Sequence, residues 1–298
     1  MAAPLLVDLH GHAGLARDLA AALGAEPGRI EQRRFPDGES YVRFDSPVAG
    51  RAVLLLAALD RPDEKFLPLV FAASTARELG AASVGLIAPY LPYMRQDARF
   101  RPGEGVTSAY FARALSAAVD WLVTVDPHLH RRKSLAEIYT VPALALHTAP
   151  LLAQWIAGAV DRPMLIGPDV ESKQWVAAVA RTAGAPSLVL EKTRRGDRDV
   201  AVSVPDVERW RAYTPVLVDD IVSTGRTLIE TVGHLQRAGL RPPVCVAVHA
   251  VFAGNAYEDL KAAGVARVVT TDTLPHETNA IEVAPLLAEG VRAIATSR

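Results

Sequence analysis

Short aliphatic runs alternate with alanine-rich segments of helical length from one end of this chain to the other, and no other feature constrains its fold as much. Runs at Leu5–Leu9, Ala52–Ala58, Ser83–Ala88, Trp121–Val125 and Val244–His249 are apolar at successive positions, the pattern of strands buried on both faces. Shorter runs at Met164–Ile166, Leu188–Leu190, Val216–Val218 and Arg267–Thr270 continue the series. Between the runs, Gly14–Leu23, Glu64–Leu79, Ser108–Ala118, Ala149–Ala157, Ser172–Thr182, Thr227–Ala238 and Tyr257–Ala262 read as helices. This order predicts an α/β fold with central, mostly parallel sheets and right-handed crossovers. At 298 residues the chain is long enough for two domains. A seam is expected at Tyr139–His147, around Pro142, giving domains 1–145 and 146–298. The two halves share a rhythm, though no repeat is visible residue by residue.

Composition narrows the function by exclusion. The formal net charge is −1, so no overall field draws the chain to nucleic acid or to an anionic membrane. Phosphate recognition would have to be local. A lone cysteine, Cys245, excludes an intramolecular disulfide and argues against a cysteine-rich metal site. The N-terminus lacks a basic region and meets Asp8 early, so it does not read as a signal peptide. No apolar run approaches the length of a membrane span. The expectation is a cytoplasmic protein with neither nucleic-acid nor membrane partners.

The most informative stretch is Pro215-Val-Leu-Val-Asp-Asp-Ile-Val-Ser-Thr-Gly-Arg-Thr. An apolar strand ends in two acids, Asp219 and Asp220. A small polar loop, Ser223 to Thr227, then enters a helix. Backbone N–H groups, hydroxyls and a helix N-terminus together suit a phosphate dianion, and Gly225 lets the backbone come close. The acids suit sugar hydroxyls or hydrated Mg²⁺. A plain N-cap by Ser223 or Thr224 would account for the loop but not for the paired acids. The stretch resembles the PRPP-binding loop shared by type I phosphoribosyltransferases and ribose-phosphate pyrophosphokinases. That resemblance implies the 5-phosphate on Ser223, Thr224, Gly225 and Thr227, and the ribose hydroxyls on Asp219 and Asp220.

Further segments, in the same order as in ribose-phosphate pyrophosphokinases, extend the resemblance over nearly the whole chain. Arg34-Phe35-Pro36-Asp37-Gly38-Glu39 is similar to that family's Phe-x-Asp-Gly-Glu motif, which implies that Phe35, Asp37 and Glu39 contact adenine, often in a neighbouring subunit. As residues alone, Pro-Asp-Gly also reads as a tight turn between two strands. Pro89-Tyr-Leu-Pro-Tyr-Met-Arg-Gln-Asp-Ala-Arg implies ATP contacts from Arg95, Gln96 and Arg99. Asp126-Pro-His128 implies a Mg²⁺–ATP site, with His130 unassigned. Ile166-Gly-Pro-Asp-Val-Glu-Ser implies a pyrophosphate loop with Asp169 and Ser172, although Glu171-Ser172 departs from the glycines common there. Leu190-Glu191-Lys192-Thr193-Arg194 resembles the family's mobile catalytic loop and implies that Lys192 and Arg194 are catalytic. Ser223 stands where many relatives have an aspartate, so no carboxylate base is expected there. His10-Gly-His12 looks like a metal pair but has no third ligand nearby and stays unassigned.

The resemblance implies two tandem phosphoribosyltransferase-type domains, an N-terminal one for ATP and a C-terminal one for ribose phosphate. It further implies Mg²⁺ as cofactor, ATP and ribose 5-phosphate as substrates, and a homo-oligomer, dimer or hexamer. Transfer of the β,γ-diphosphoryl group to the 1-hydroxyl would give PRPP and AMP. Three other readings stay open: a phosphoribosyltransferase that consumes PRPP, a non-catalytic regulatory homologue, and a synthetase with a different acceptor sugar.

Overall fold

The computed structural model describes residues 2–167, 173–189, 191–195, 199–203 and 207–296. They fall into two compact units. One comprises Met1–Leu146 with Thr273–Pro275 and Glu282–Arg298, the other His147–Asp272 with His276–Ile281.

In the first unit the chain runs through β1 (Leu5–Asp8), α1 (Ala13–Leu23), β2 (Glu26–Gly28), β3 (Ile30–Arg34), β4 (Ser40–Phe44) and β5 (Ala52–Leu56). It continues through α2 (Pro62–Glu78), β6 (Ser83–Ala88), α3 (Thr107–Ala118), β7 (Trp121–Val125) and β8 (Ala143–Leu146). The sheet order is β2-β1-β5-β6-β7-β8, parallel throughout. Alternate residues Leu5, Val7, Val53, Leu55, Val84 and Leu86 form one apolar face, covered by Leu69, Ala72, Ala73 and Ala76 of α2 and by Phe111, Ala112 and Leu115 of α3. Gly85 lies in register with Trp121, whose indole occupies the space a Cβ would need. β3 and β4 form a separate antiparallel hairpin.

The second unit runs through α4 (Ala149–Ala159), β9 (Pro163–Gly167), α5 (Lys173–Ala183), β10 (Ser187–Val189), β11 (Glu191–Arg195), β12 (Asp199–Ser203) and α6 (Val207–Trp210). After these come β13 (Thr214–Val222), α7 (Arg226–Arg237), β14 (Val244–Ala250), α8 (Ala256–Ala262), β15 (Arg267–Thr271) and β16 (Asn279–Ile281). Its parallel sheet has the order β10-β9-β13-β14-β15-β16. β14 is buried at all seven positions, as a central strand covered on both faces must be. The antiparallel ribbon β11–β12 is inserted between β10 and β13, just as β3–β4 is inserted between β2 and β5. The two halves are therefore copies of one topology, which their shared rhythm hinted at and their residues did not show.

The last helix, α9 (Ala284–Thr296), packs with the first unit, against α1, β7 and β8. The sequence reading placed everything from residue 146 in the second unit. The return follows from the apolar stripe Leu287, Ala288, Val291 and Ile294, which is buried where α9 packs beside α1 on β7 and β8. No helix among the described residues is long and apolar enough to cross a membrane.

Candidate active site

In each sheet the strand order reverses beside the first strand: β1 lies between β2 and β5, and β9 between β10 and β13. Ligands in open α/β sheets bind at such reversals, beyond the carboxyl ends of the strands. Backbone strain points to the same ends. Among the described residues, five non-glycine residues have positive φ, and four of them, Arg61, Tyr93, Asp126 and Phe252, lie just past the ends of β5, β6, β7 and β14. Such conformations cost about 1–3 kcal/mol each and persist where the surroundings enforce them.

In the second unit, β13 extends further than its apolar core suggested. It runs to Val222, pairing Asp219 with Ala247 and Ile221 with His249, so both acids lie within the strand and not after it. The ladder is made by main-chain groups, which pair regardless of side-chain polarity. Asp219 and Asp220 are both half-buried, and Asp219 Oδ1 accepts the Asp220 N–H at 3.0 Å. The chain then turns through Ser223 and Thr224 to Gly225, which has φ +66 and forms the N-cap of α7. No side chain caps this helix, so the sequence-level alternative of a Ser223 or Thr224 cap is not realised. The Ser223 carbonyl instead accepts the Ala253 N–H at 3.0 Å, and Val222 the Phe252 N–H at 2.8 Å, which pins the loop to the segment after β14. Thr224 and Thr227 are exposed, Ser223 is half-buried, and the first turn of α7 holds no acid. The result is an uncapped helix N-terminus with two hydroxyls in solvent and two carboxylates one turn of chain away. It suits a sugar phosphate.

Cys245 sits beneath this site on β14. Burial, then the charge of Asp219, pushes its thiol up to about 12, so it offers no thiolate. Lys192 and Arg194 fall in β11, opposite Val202 and Val200 of β12. The expected catalytic loop thus begins as a paired ribbon. Asp169 and Ser172, with Glu171, lie outside the described residues.

In the first unit, β6 and β7 are neighbours, and their carboxyl ends bring two of the sequence segments together. Arg95 and Arg99 are exposed, whereas Gln96 is half-buried. The Gln96 amide donates to the Ala98 and Gly105 carbonyls at 3.3 and 3.4 Å and reaches Glu104 Oε2 at 3.5 Å, so it fastens the loop that displays the arginines. Tyr93, at φ +62, donates its hydroxyl to Asp63 in the first turn of α2 and rests on Phe111. Past β7, Asp126 is buried at φ +33, with its N–H on the Leu146 carbonyl at 2.8 Å. His128 is half-buried and His130 exposed, their rings edge to face at 4.0 Å. A buried carboxylate held in a strained turn is a hard oxygen donor that fits Mg²⁺, and His128 suits its hydration shell or a phosphate better than the ion itself.

Phe35, Asp37 and Glu39 occupy the exposed tip of the β3–β4 hairpin. The tip is also the tight turn that Pro-Asp-Gly suggested: Gly38 takes φ +94 and donates to the Phe35 carbonyl at 2.9 Å, and Asp37 Oδ1 accepts the Glu39 N–H at 3.2 Å. Phe35 meets Tyr41 edge to face at 6.0 Å, and the Arg33 guanidinium stacks over both rings. An exposed, braced aromatic ring with carboxylates beside it is suited to a purine base.

The comparisons with known proteins also divide the chain in two. Residues 5–118 match the family model described as the N-terminal domain of ribose phosphate pyrophosphokinase, and residues 134–286 match the phosphoribosyl transferase domain. The ribose-phosphate pyrophosphokinase of Methanopyrus kandleri is 36% identical over 279 residues, covering 93% of this chain and 94% of its own. This chain belongs to the ribose-phosphate pyrophosphokinase family. The enzyme of that name from Methanothermobacter thermautotrophicus is 34% identical over 92% of this chain and 95% of its own. The crystal structure of phosphoribosylpyrophosphate synthetase from Mycobacterium smegmatis aligns over the full length of both chains, with 26% identity and a TM-score of 0.86. The segment bearing Asp126, His128 and His130 lies between the two matched models. The site also contains an ion pair with no counterpart among the residues singled out from sequence. Asp97 and Arg131 pair at 3.3 Å across the ends of β6 and β7. The signal available was an acid next to Gln96 and an Arg-Arg pair soon after Asp126.

Proposed function

We propose that this protein transfers the β,γ-diphosphoryl group of Mg–ATP to the 1-hydroxyl of ribose 5-phosphate, giving PRPP and AMP. The uncapped N-terminus of α7 beside Asp219 and Asp220 carries this reading, because a site built for a phosphorylated sugar is what every version of the reaction needs. The full-length likeness to proteins named ribose-phosphate pyrophosphokinase supports the synthetase direction over base transfer.

The second unit binds ribose 5-phosphate, its phosphate on Ser223, Thr224, Gly225 and Thr227 and its 2- and 3-hydroxyls on Asp219 and Asp220. The first unit binds ATP, with Arg95 and Arg99 on the phosphates and Gln96 holding their loop. Phe35, Asp37 and Glu39 form an adenine contact that serves a second copy in a homo-oligomer. Asp126, with His128 through water or phosphate, holds Mg²⁺, which when bound screens the charge of the polyphosphate. The sugar 1-oxygen attacks the β-phosphorus, the bond between the α,β-bridging oxygen and the β-phosphorus breaks, AMP leaves, and the hydroxyl proton passes to solvent. Lys192 and Arg194 neutralise charge that builds on the transferred group, while Asp169 and Ser172 belong to the loop that receives it. Positioning and electrostatics are sufficient for such chemistry.

The test is incubation of purified protein with ATP, ribose 5-phosphate and Mg²⁺, with AMP and PRPP measured together. Equal amounts of both are expected. Release of pyrophosphate from PRPP only when a base is added would favour a phosphoribosyltransferase, and nucleotide binding without either product would favour a regulatory homologue.

A further inference from the structure

At the carboxyl ends of β6 and β7, Asp97 is the most deeply buried ionisable group of its loop, with its side chain 1% exposed. Its Oδ1 pairs with Arg131 Nη1 at 3.3 Å, and its main-chain carbonyl accepts from Arg132 Nη2 at 3.4 Å. The same Arg132 nitrogen reaches Ser108 Oγ at 3.3 Å, and the Ser108 N–H returns to the Gln96 carbonyl at 3.3 Å. Arg131 also lays its guanidinium over Phe100, 5.2 Å from the ring centre. These contacts close a ring of interactions between two loops. One carries Arg95, Gln96 and Arg99, and the other carries Asp126 and His128. Each loop contains a residue at positive φ, Tyr93 and Asp126, a conformation that persists where surrounding contacts enforce it.

Burying a carboxylate is expensive unless it is paired, and removing one partner of such a pair costs more than the pair itself contributes. Asp97 Oδ2 and Arg132 Nε are both buried with no hydrogen-bond partner within the protein. We propose that Asp97, with Arg131 and Arg132, is a positioning residue that holds the ATP-phosphate arginines and the Asp126–His128 turn as one block. This rests on the reading of those loops as the Mg–ATP site. Asp97 touches no reacting atom. Its effect is to preset the spacing of two loops whose side chains must meet one polyphosphate, which lowers the ordering that binding would otherwise require.

Asp97→Asn preserves size and removes the charge. The expected result is a rise of about tenfold in KM for Mg–ATP, within the range of coupling seen between contacting charged residues. kcat and KM for ribose 5-phosphate should stay within about twofold, because the sugar site lies in the other unit. Arg131→Met is a second, independent break of the same pair at a side chain about half exposed, and it shows whether an effect of Asp97→Asn belongs to the pair or to a failure to fold. It should raise the same constant, and Arg131→Lys should recover part of the loss. The double variant Asp97→Asn/Arg131→Met should be no worse than Asp97→Asn alone. Calorimetric titration with Mg–ATP gives the same comparison without turnover, so the clamp can be judged even if the wild type forms no PRPP. Wild-type ATP affinity in both single variants would overturn the proposal, as would equal losses for both substrates in step with a lowered Tm.

Discussion

Gly225 offers the sharpest single test of the sugar-phosphate site. Its φ of +66 and ψ of 1 place it in the left-handed region at the N-cap of α7. A Cβ built there would lie 3.4 Å from Leu260 Cδ1 and Cγ and 3.7 Å from the Ala256 carbonyl. These are close contacts, two of them with a side chain that can shift, so space is not the main obstacle. The backbone is: an L-residue in this conformation costs about 1–2 kcal/mol. In Gly225→Ala that cost either remains as lost stability or is relieved by turning the peptide, which re-aims the N–H groups of the Ser223–Thr227 loop. If relieved through the loop, 1–2 kcal/mol corresponds to a rise of roughly 5- to 30-fold in KM for ribose 5-phosphate. KM for ATP should hardly move, since no ATP contact is assigned to Gly225 or to the Ser223–Thr227 loop. Gly225→Asn should fall between wild type and alanine, because asparagine enters the left-handed region more readily. Initial-rate kinetics with each substrate varied in turn, alongside thermal melts of the three proteins, would check the order. An alanine variant with wild-type KM for ribose 5-phosphate and an unchanged Tm would refute the reasoning. So would a variant impaired equally toward both substrates.

Three other perturbations have definite expected outcomes. Burial first, and the charge of Lys65 next, lowers His10 from 6.5 to about 4, against weaker upward pulls from Asp8, Asp60 and the Ala58 carbonyl, whose geometry falls short of a hydrogen bond to the ring. The unfolded chain therefore binds a proton that the folded chain refuses between those values, and stability is lost as pH falls from 6.5 to 4. At about 1.4 kcal/mol per pH unit this amounts to about 3 kcal/mol at most, and urea unfolding of His10→Gln should show a correspondingly flatter pH profile than wild type. Parallel profiles would remove His10 from the account. Gly85→Ala would set a Cβ 1.9 Å from the Trp121 ring, so overpacking of about 1–3 kcal/mol should lower Tm by several degrees, and adding Trp121→Leu should restore part of it. An unchanged melt in the single variant would contradict the packing described. Lys192→Ala should lower kcat by about 10²–10³ with ATP binding nearly intact, as loss of one group that stabilises transition-state charge does. A mild rate effect would take Lys192 off the catalytic list.

The sequence exposed some elements of the fold and hid others for physical reasons. Ser83–Ala88 and Trp121–Val125 were readable to the residue because both strands are apolar at nearly every position and are followed at once by Pro89 and by Asp126-Pro127. β13 was cut short at Val218 because its last four residues include two acids, while the ladder that continues beneath them is invisible to hydropathy. β3 and β4 carry Glu31, Arg33, Arg34 and Arg43, so the hairpin could be inferred only from its Pro-Asp-Gly turn. β8, Ala143–Leu146, fell inside what looked like a seam. The return of α9 to the first unit depends on its packing against α1, β7 and β8, elements far from it in sequence.

The candidate site divides similarly. Asp219, Thr224, Arg95 and Phe35 could be proposed from residue type and order, because they stand in short motifs that run in the family's order along the chain. The contacts that fix them could not. Which arginine meets Asp97, and that Gln96 turns inward to its own loop, depends on β6 and β7 being neighbours with their ends level. Nor could the bare N-cap of α7 be foreseen, since Ser223 and Thr224 are both residues that ordinarily cap.

The central claim is that two phosphoryl groups move together from ATP to the 1-oxygen of ribose 5-phosphate. Following ATP labelled at the β-phosphorus tests it most directly, in the presence of Mg²⁺ and ribose 5-phosphate. The label should appear in PRPP in amounts equal to the AMP formed, with none in ADP. Label retained in ADP, or lost from ATP with no PRPP formed, would contradict it.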